Sequence, residues 1–240
     1  MDYSEQTPLP DDAPQDFSGK SVLVAGATGG LGSALSRQLA ARGASLTLVG
    51  RNRERLDALD LPGHRVALDL RDPDLCSRAV TEAGDHGQGL DVVVNAIGVV
   101  AFGPIDELDV DTMEELFLTN TFVPMMLAKA ALGELREGGT IVNISGVIAE
   151  QNLPGMAAYG ASKAALRSFD EALRREARRR KIRVLDARPP HTETGLADRP
   201  IAGTAPRFGD GLEPDHVARV IVDAISEGTP DLPASAFSPD

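Results

Sequence analysis

Ser21-Val-Leu-Val-Ala25-Gly26-Ala-Thr28-Gly29-Gly30-Leu31-Gly32 reads as a buried strand that runs straight into a glycine-rich turn, with helical spacing from Leu31 to Arg42 behind it. Glycine reaches backbone angles closed to other residues and lets the main chain come close to a ligand. A helix that opens at such a turn presents free N–H groups and the positive end of its dipole, which suits a pyrophosphate. No lysine follows the last glycine, so the spacing excludes a Walker-type phosphate loop. Strand before and helix after make this a dinucleotide-binding turn at the carboxyl end of a parallel strand. The contacts expected from it are Gly26, Thr28, Gly29, Gly30, Leu31 and Gly32.

Outward from this turn, short apolar runs alternate with helical patterns. Strands are expected at Ala44–Gly50, Arg65–Leu68, Leu90–Asn95, Gly139–Ser145 and Ile182–Ala187. Helices are expected at Pro73–Ala83, with Asp72 as N-cap, and at about Asp111–Arg136, Ala158–Arg180 and Glu213–Ser226. Near-continuous apolar strands separated by helices specify a parallel sheet covered on both faces. Residues 1–17 are acidic and carry Pro8, Pro10 and Pro14, and they read as a solvated tail. One α/β domain accounts for 18–240, with 188–212 as a long aperiodic loop suited to a lid over substrate.

The balance of charge narrows the partners. A net charge of −12 argues against nucleic acid or an anionic membrane surface as a partner. No uninterrupted apolar run approaches the ~20 residues that span a bilayer. The cationic run Arg174, Arg175, Arg178, Arg179, Arg180 and Lys181 falls at a helix C-terminus, where the macrodipole favours it. The single cysteine, Cys76, suits a reducing, cytoplasmic setting, and the four dispersed histidines show no zinc-ligand spacing.

The turn resembles the TGxxxGxG fingerprint of the short-chain dehydrogenase/reductase family, with Ala25 in the Thr position. Further landmarks between Lys20 and Ser226 are similar to that family's. Asp69-Leu70 resembles its adenine-contacting pair, although Asp69 also reads as a turn carboxylate. Asn95-Ala96-Ile-Gly98 resembles its NNAG turn beside the ribose, with Val94 in the first Asn position. Asn120 resembles its mid-helix Asn that holds a water for proton relay. The resemblance implies a single Rossmann-like, doubly wound sheet of about seven strands in the order 3-2-1-4-5-6-7. It also implies dimers or tetramers paired through the two long helices.

After the second strand, Arg51-Asn52-Arg53 stands where an NAD site carries an acid; Arg51, helped by Asn52 or Arg53, is the expected ligand of a 2′-phosphate. NADP(H) is therefore favoured, with NAD(H) as the alternative. Tyr159 is the one tyrosine outside the tail, and Lys163 follows it at i+4, on the same helix face. A nearby ammonium is expected to pull the phenol below its ordinary pKa of ~10, which fits a proton donor and acceptor for a carbonyl oxygen. By resemblance Lys163 also binds the nicotinamide ribose.

Two departures stand out. The family's catalytic serine would sit thirteen residues before Tyr159, and that position is Gly146. The neighbouring Ser145 either replaces it or is a strand-end serine bonded within the fold; alternation along a strand turns it away from the site. After the sixth strand, Pro189 and Thr194 match the family's cofactor loop, but Pro190 replaces its Gly. His191 reads as a surface-loop residue, with a place facing the pocket as the alternative. The expectation is an NADP(H)-dependent oxidoreductase for a small to medium hydrophobic ketone or secondary alcohol, with Tyr159, Lys163, Asn120 and doubtfully Ser145 as its machinery. The alternative is a nucleotide-binding sensor that has lost catalysis.

Overall fold

The computed structural model describes residues 16–238. Seven strands form one parallel sheet: β1 (Ser21–Ala25), β2 (Ser45–Gly50), β3 (His64–Ala67), β4 (Leu90–Asn95), β5 (Leu135–Ile144), β6 (Arg183–Ala187) and β7 (Asp231–Leu232). Their spatial order is β3-β2-β1-β4-β5-β6-β7, as expected from the sequence. The order reverses between β1 and β4, so the crevice for a ligand opens above the carboxyl ends of those two strands. Registers are set by apolar rungs: Val24 pairs with Leu48 and Val94, Val94 with Val142, and Val142 with Leu185.

Every residue of β1 is buried, which is why its sequence shows no alternation. Val22 and Val24 face a core formed with α1 (Gly30–Ala41) and α7 (Pro214–Glu227). Leu23 and Ala25 face the opposite core, with α3 (Pro73–His86), α5 (Val123–Glu134) and α6 (Ala157–Ala177). The short α2 (Arg53–Asp57) is capped by Asn52, whose side chain accepts from the Arg55 N–H. Cys76 lies in the second core, where burial pushes its thiol up to about 12.

The helix expected over Asp111–Arg136 is divided. α4 (Val110–Phe117) passes through a π-helical turn, Leu118–Phe122, into α5. Leu135 and Arg136 belong to β5, where the pairing with β4 shifts register between Leu90 and Val92. The whole helical stretch Val110–Glu134 runs 25 residues, with a window of mean hydropathy 1.3 that is half buried in the fold. It has the length and composition of a membrane span, contrary to the expectation that no apolar stretch approaches that length, and polar residues scattered through it hide it in the sequence. The expected helix to Arg180 ends as α6 at Ala177, and a 3-10 turn leads to Lys181 at φ +54°. Two members of the basic run are tied to backbone carbonyls: Arg180 donates to Leu132 O, and Arg174 donates to Val184 O and Pro230 O.

Most of the N-terminal stretch read as a tail lies outside the described residues. Its last residue, Phe17, is corrected by the structure: the ring is 3% exposed in the α1/α7 core, and its N–H donates to Arg42 O. An aromatic next to the first strand gains too much by burial to stay in water. Phe17→Ala should therefore destabilise the domain by about 3 kcal/mol, the usual range for emptying a buried aromatic site. Urea unfolding checks this; an unchanged midpoint would place Phe17 outside the core.

Candidate active site

The glycine turn is tight because backbone lies where side chains would otherwise project. A Cβ on Gly26, which sits at φ +82°, would lie 2.8 Å from Ala96 O, and one on Gly32 would lie 2.1 Å from Gly26 O. A Cβ on Gly30 would lie 2.6 Å from Thr194 O, so the turn also meets the loop after β6. α1 opens with Gly29 as N-cap, no capping side chain and no acid in its first turn. Its leading N–H groups are thus left for an anion.

Above this turn lies a cavity of about 570 Å³. Of the expected cofactor contacts, Gly26, Thr28, Gly29, Gly30, Leu31, Arg51, Asp69, Leu70, Ala96, Gly98, Lys163, Pro189 and Thr194 line it. Three expected contacts do not. Gly32 is buried beneath the turn. Asn52 uses its side chain on Arg55 N as a helix cap. Asn95 is buried, accepting from Ile97 N and donating to Asn143 across the β4–β5 rung, so it shapes the turn from below.

Two arginines at the adenosine end escaped the sequence reading. Arg55 lines the cavity and donates to Thr28 O at 2.8 Å. The signal was the Asn52 cap, which starts α2 and places Arg55 on its first turn, one turn beyond Arg51. Arg71 also lines the cavity and chelates Asp69, with Glu115 as a second partner. That guanidinium, by hydrogen bond and charge, holds the Asp69 carboxyl below the usual carboxylate range.

At the other end, α6 carries Tyr159 and Lys163 one turn apart. Tyr159 is half-buried among Val100, Phe102, Ile148, Met156 and Phe208. The expected effect of the ammonium on the phenol is reversed here: burial pushes Tyr159 up to about 12. Lys163 is 5% exposed, and its Nζ donates to Ile144 O at 2.8 Å rather than to the phenol. Burial brings it down from 10.5 to about 8, against the opposing charges of Asp186 and Asp170.

Asn120 is fully buried in the π turn and does not line the cavity. Its Oδ1 accepts from Val99 N, and its Nδ2 donates to Val99 O and to Ser162 Oγ. Its amide therefore fixes the loop after β4 that walls the cavity. Ser145 is 0% exposed and donates to Asp186 Oδ1 at 2.5 Å, so its hydroxyl is turned into the sheet layer. Asp186 also pairs with Arg188, which reaches Asp231 and Glu150. This buried cluster, unread in the sequence, anchors the chain on either side of the cavity.

Gly146 lines the cavity with φ +79° and ψ +162°, a region open essentially to glycine alone. The backbone, and not only the side chain, thus differs from what a serine there would adopt. The expected lid is corrected in part. It is stitched to the cavity wall by Ile201 N to Val100 O and Phe102 N to Ala202 O, and closed at its base by Glu193 N to Leu212 O. His191, expected at the surface, lines the cavity, with its ring stacked 4.7 Å from that of Phe208.

The lowered Lys163 gives a stability test. Between about 8 and 10.5 the unfolded chain holds a proton that the folded Lys163 has lost, so stability rises with pH across that window. Below it, burying the ammonium costs about 3 kcal/mol, from ~1.4 kcal/mol per pH unit of displacement. Lys163→Met should accordingly melt at or above the wild-type temperature at pH 7, with the gap narrowing toward pH 10. Scanning calorimetry across that range checks it; a gap that widens with pH contradicts the assignment.

Comparison with known proteins agrees with this architecture. The family model described as short chain dehydrogenase matches residues 20–202. Dehydrogenase/reductase SDR family member 7B of Mus musculus is 32% identical over 238 residues, which cover 91% of this chain and 74% of that protein. The hydroxynaphthalene reductase-like protein Arp2 of Metarhizium brunneum is 32% identical over 197 residues, 78% of this chain and 74% of that one. Among solved structures, a dehydrogenase/reductase from Sinorhizobium meliloti 1021 superposes with TM-score 0.82 at 26% identity, covering 94% of this chain and 98% of its own. A short chain dehydrogenase from Burkholderia cenocepacia J2315, solved in complex with NADP, superposes with TM-score 0.80 at 26% identity, covering 93% and 100%. With its fold, its glycine turn and most of its length accounted for in this way, the chain belongs to the short-chain dehydrogenase family of oxidoreductases.

Proposed function

We propose that the protein is an NADP(H)-dependent oxidoreductase that interconverts a small to medium hydrophobic ketone and its secondary alcohol, with Tyr159 as the proton donor and acceptor. The observation that carries this reading is a single cavity shared by the glycine turn, Lys163 and Tyr159. The bound nicotinamide would supply or accept the hydride. When the carbonyl carbon gains its new C–H bond, the Tyr159 O–H bond breaks and its proton goes to the substrate oxygen. The phenolate left behind faces the Lys163 ammonium one turn away and regains its proton from solvent. With burial pushing it up to about 12, the phenol holds its proton at neutral pH and can donate it to a carbonyl oxygen.

Substrate class follows from the lining. Around Tyr159 the wall is built from Val100, Phe102, Ile148, Met156, Leu196 and Phe208, which favours an apolar body around the carbonyl. The NADP preference rests on Arg51 and Arg55 at the adenosine end, with no free acid beside them, because Asp69 is held by Arg71. The NADP in the Burkholderia cenocepacia neighbour points the same way. A second reading, a nucleotide sensor without turnover, is favoured by the glycine at position 146 and the internal bond of Ser145.

Tyr159→Phe separates the two readings. An enzyme should lose ketone-dependent NADPH oxidation by about 10³-fold or more while keeping NADPH affinity, since general acid catalysis supplies ~10²–10⁴-fold. Undiminished turnover in the variant would reject the role given to the phenol. For the cofactor, Arg51→Ala combined with Arg55→Ala should raise the Kd for NADPH by about 10–100-fold, the worth of one or two charge-assisted hydrogen bonds. Affinity for NADH should stay within a few-fold in the same titration; an equal loss for both nucleotides would refute a 2′-phosphate role.

A further inference from the structure

An oxidoreductase of this kind needs the oxygen of its substrate held in place and its developing charge stabilised, and one phenol supplies one hydrogen bond. At the substrate end of the cavity most other polar side chains are already committed. Ser145 donates to Asp186, Lys163 to Ile144 O, Thr192 to Pro190 O, and Arg199 to Gly195 O. Gly146 has no side chain, and its backbone angles exclude one. The imidazole of His191 is the remaining candidate.

His191 is held where such a group is needed. Pro189, two residues before it, accepts from Val147 N, and its carbonyl oxygen is the atom nearest to a Cβ built on Gly146, at 3.9 Å. The histidine ring stacks on Phe208, which packs with Tyr159 against the same apolar cluster. Its main-chain oxygen accepts from Leu212 N, and its Nε2 lies 3.3 Å from Glu193 Oε1. Glu193 is fixed in turn by Gly211 N at 2.8 Å. Among the described residues no protein group bonds its Nδ1.

We propose that His191, steadied by Glu193, supplies the second hydrogen bond to the reacting oxygen of the substrate, in place of the hydroxyl that position 146 lacks. This rests on the oxidoreductase reading. Its ligand is a ketone or alcohol oxygen beside an apolar body, because the imidazole is set among aromatic and aliphatic side chains. The charged groups around the ring are Glu193, Asp198 and Asp210 in the small cavity on its far side, and Arg199 in the main one.

The test uses the full chain with NADPH and three ketones carrying a single oxygen: α-tetralone, acetophenone and cyclohexanone. His191→Phe keeps the ring stack and removes both nitrogens; His191→Gln keeps a donor that does not titrate. On a ketone that the wild type reduces, H191F should lower kcat/KM by about tenfold or more, the loss expected of a charge-assisted bond, with most of it in kcat. NADPH affinity should not move, and H191Q should restore most of the rate. H191F within twofold of wild type, or H191Q as impaired as H191F, would overturn the assignment and leave the role of Tyr159 standing. If the wild type reduces none of the three ketones, the ketone reading itself fails and this inference falls with it.

Discussion

An ammonium shut away from water must be held by the fold or give up its proton, and the arrangement around the cavity floor is organised by that requirement. Lys163 reaches from α6 to the end of β5 and meets Ile144 O, a carbonyl left free because the strand stops there. Behind it lie two buried carboxyls. Asp186 is shared by Ser145 and Arg188, and Asp170 accepts from Asn143. Burial pushes the Asp170 carboxyl well above the usual range, against the pull of the Asn143 hydrogen bond. Asn143 passes the chain of contacts to Asn95, and Asn95 shapes the turn after β4. One polar layer thus runs beneath the site from the substrate wall to the nucleotide turn. A change at any member is felt by groups on three strands and one helix.

The other half of the site is made by subtraction. Parallel strands bring their carboxyl ends to one edge, but a nucleotide could not lie there if Cβ atoms filled the space. Gly26, Gly30 and Gly32 remove them where the chain passes Ala96, Thr194 and Gly26 itself. The loop after β6 can then touch the first turn, joining two segments more than 160 residues apart. The same loop returns to bond Val100 and Phe102, so the upper wall is attached to both halves of the sheet. Asn120 completes the wall by gripping Val99 from a π turn, a helix defect that directs its amide inward.

Elements with strong local signals were legible in the sequence. The glycine turn, the Tyr159–Lys163 spacing and the long loop follow from periodicity, glycine and short-range geometry, and the strand order is what the family resemblance implies. What was not legible depended on partners remote in sequence. Nothing near Arg188 announces Asp231 and Glu150 as its partners. The direction of the Tyr159 shift was misjudged because i+4 spacing gives proximity but not solvent access. Burial outweighs a cation whose own hydrogen bond goes elsewhere. His191 was read from its loop, whereas its place depends on Phe208 and Gly211 closing on it.

Position 146 bears on whether the site is a working one or a remnant. A remnant is expected to lose a side chain and keep its backbone, yet here the backbone has taken angles that only glycine tolerates. Around it the structure is reinforced: Gly146 N donates to Ala187 O, Val147 N to Pro189 O, and Glu150 closes on Arg188. Ser145 is likewise an integral part of the buried ion cluster rather than an idle hydroxyl. Meanwhile Lys163 is kept charged at a cost of about 3 kcal/mol below pH 8, against the ~5–15 kcal/mol that holds a typical domain together. Packing alone would be served as well by a methionine. The fold sustains that burden in the cavity that Tyr159 also lines.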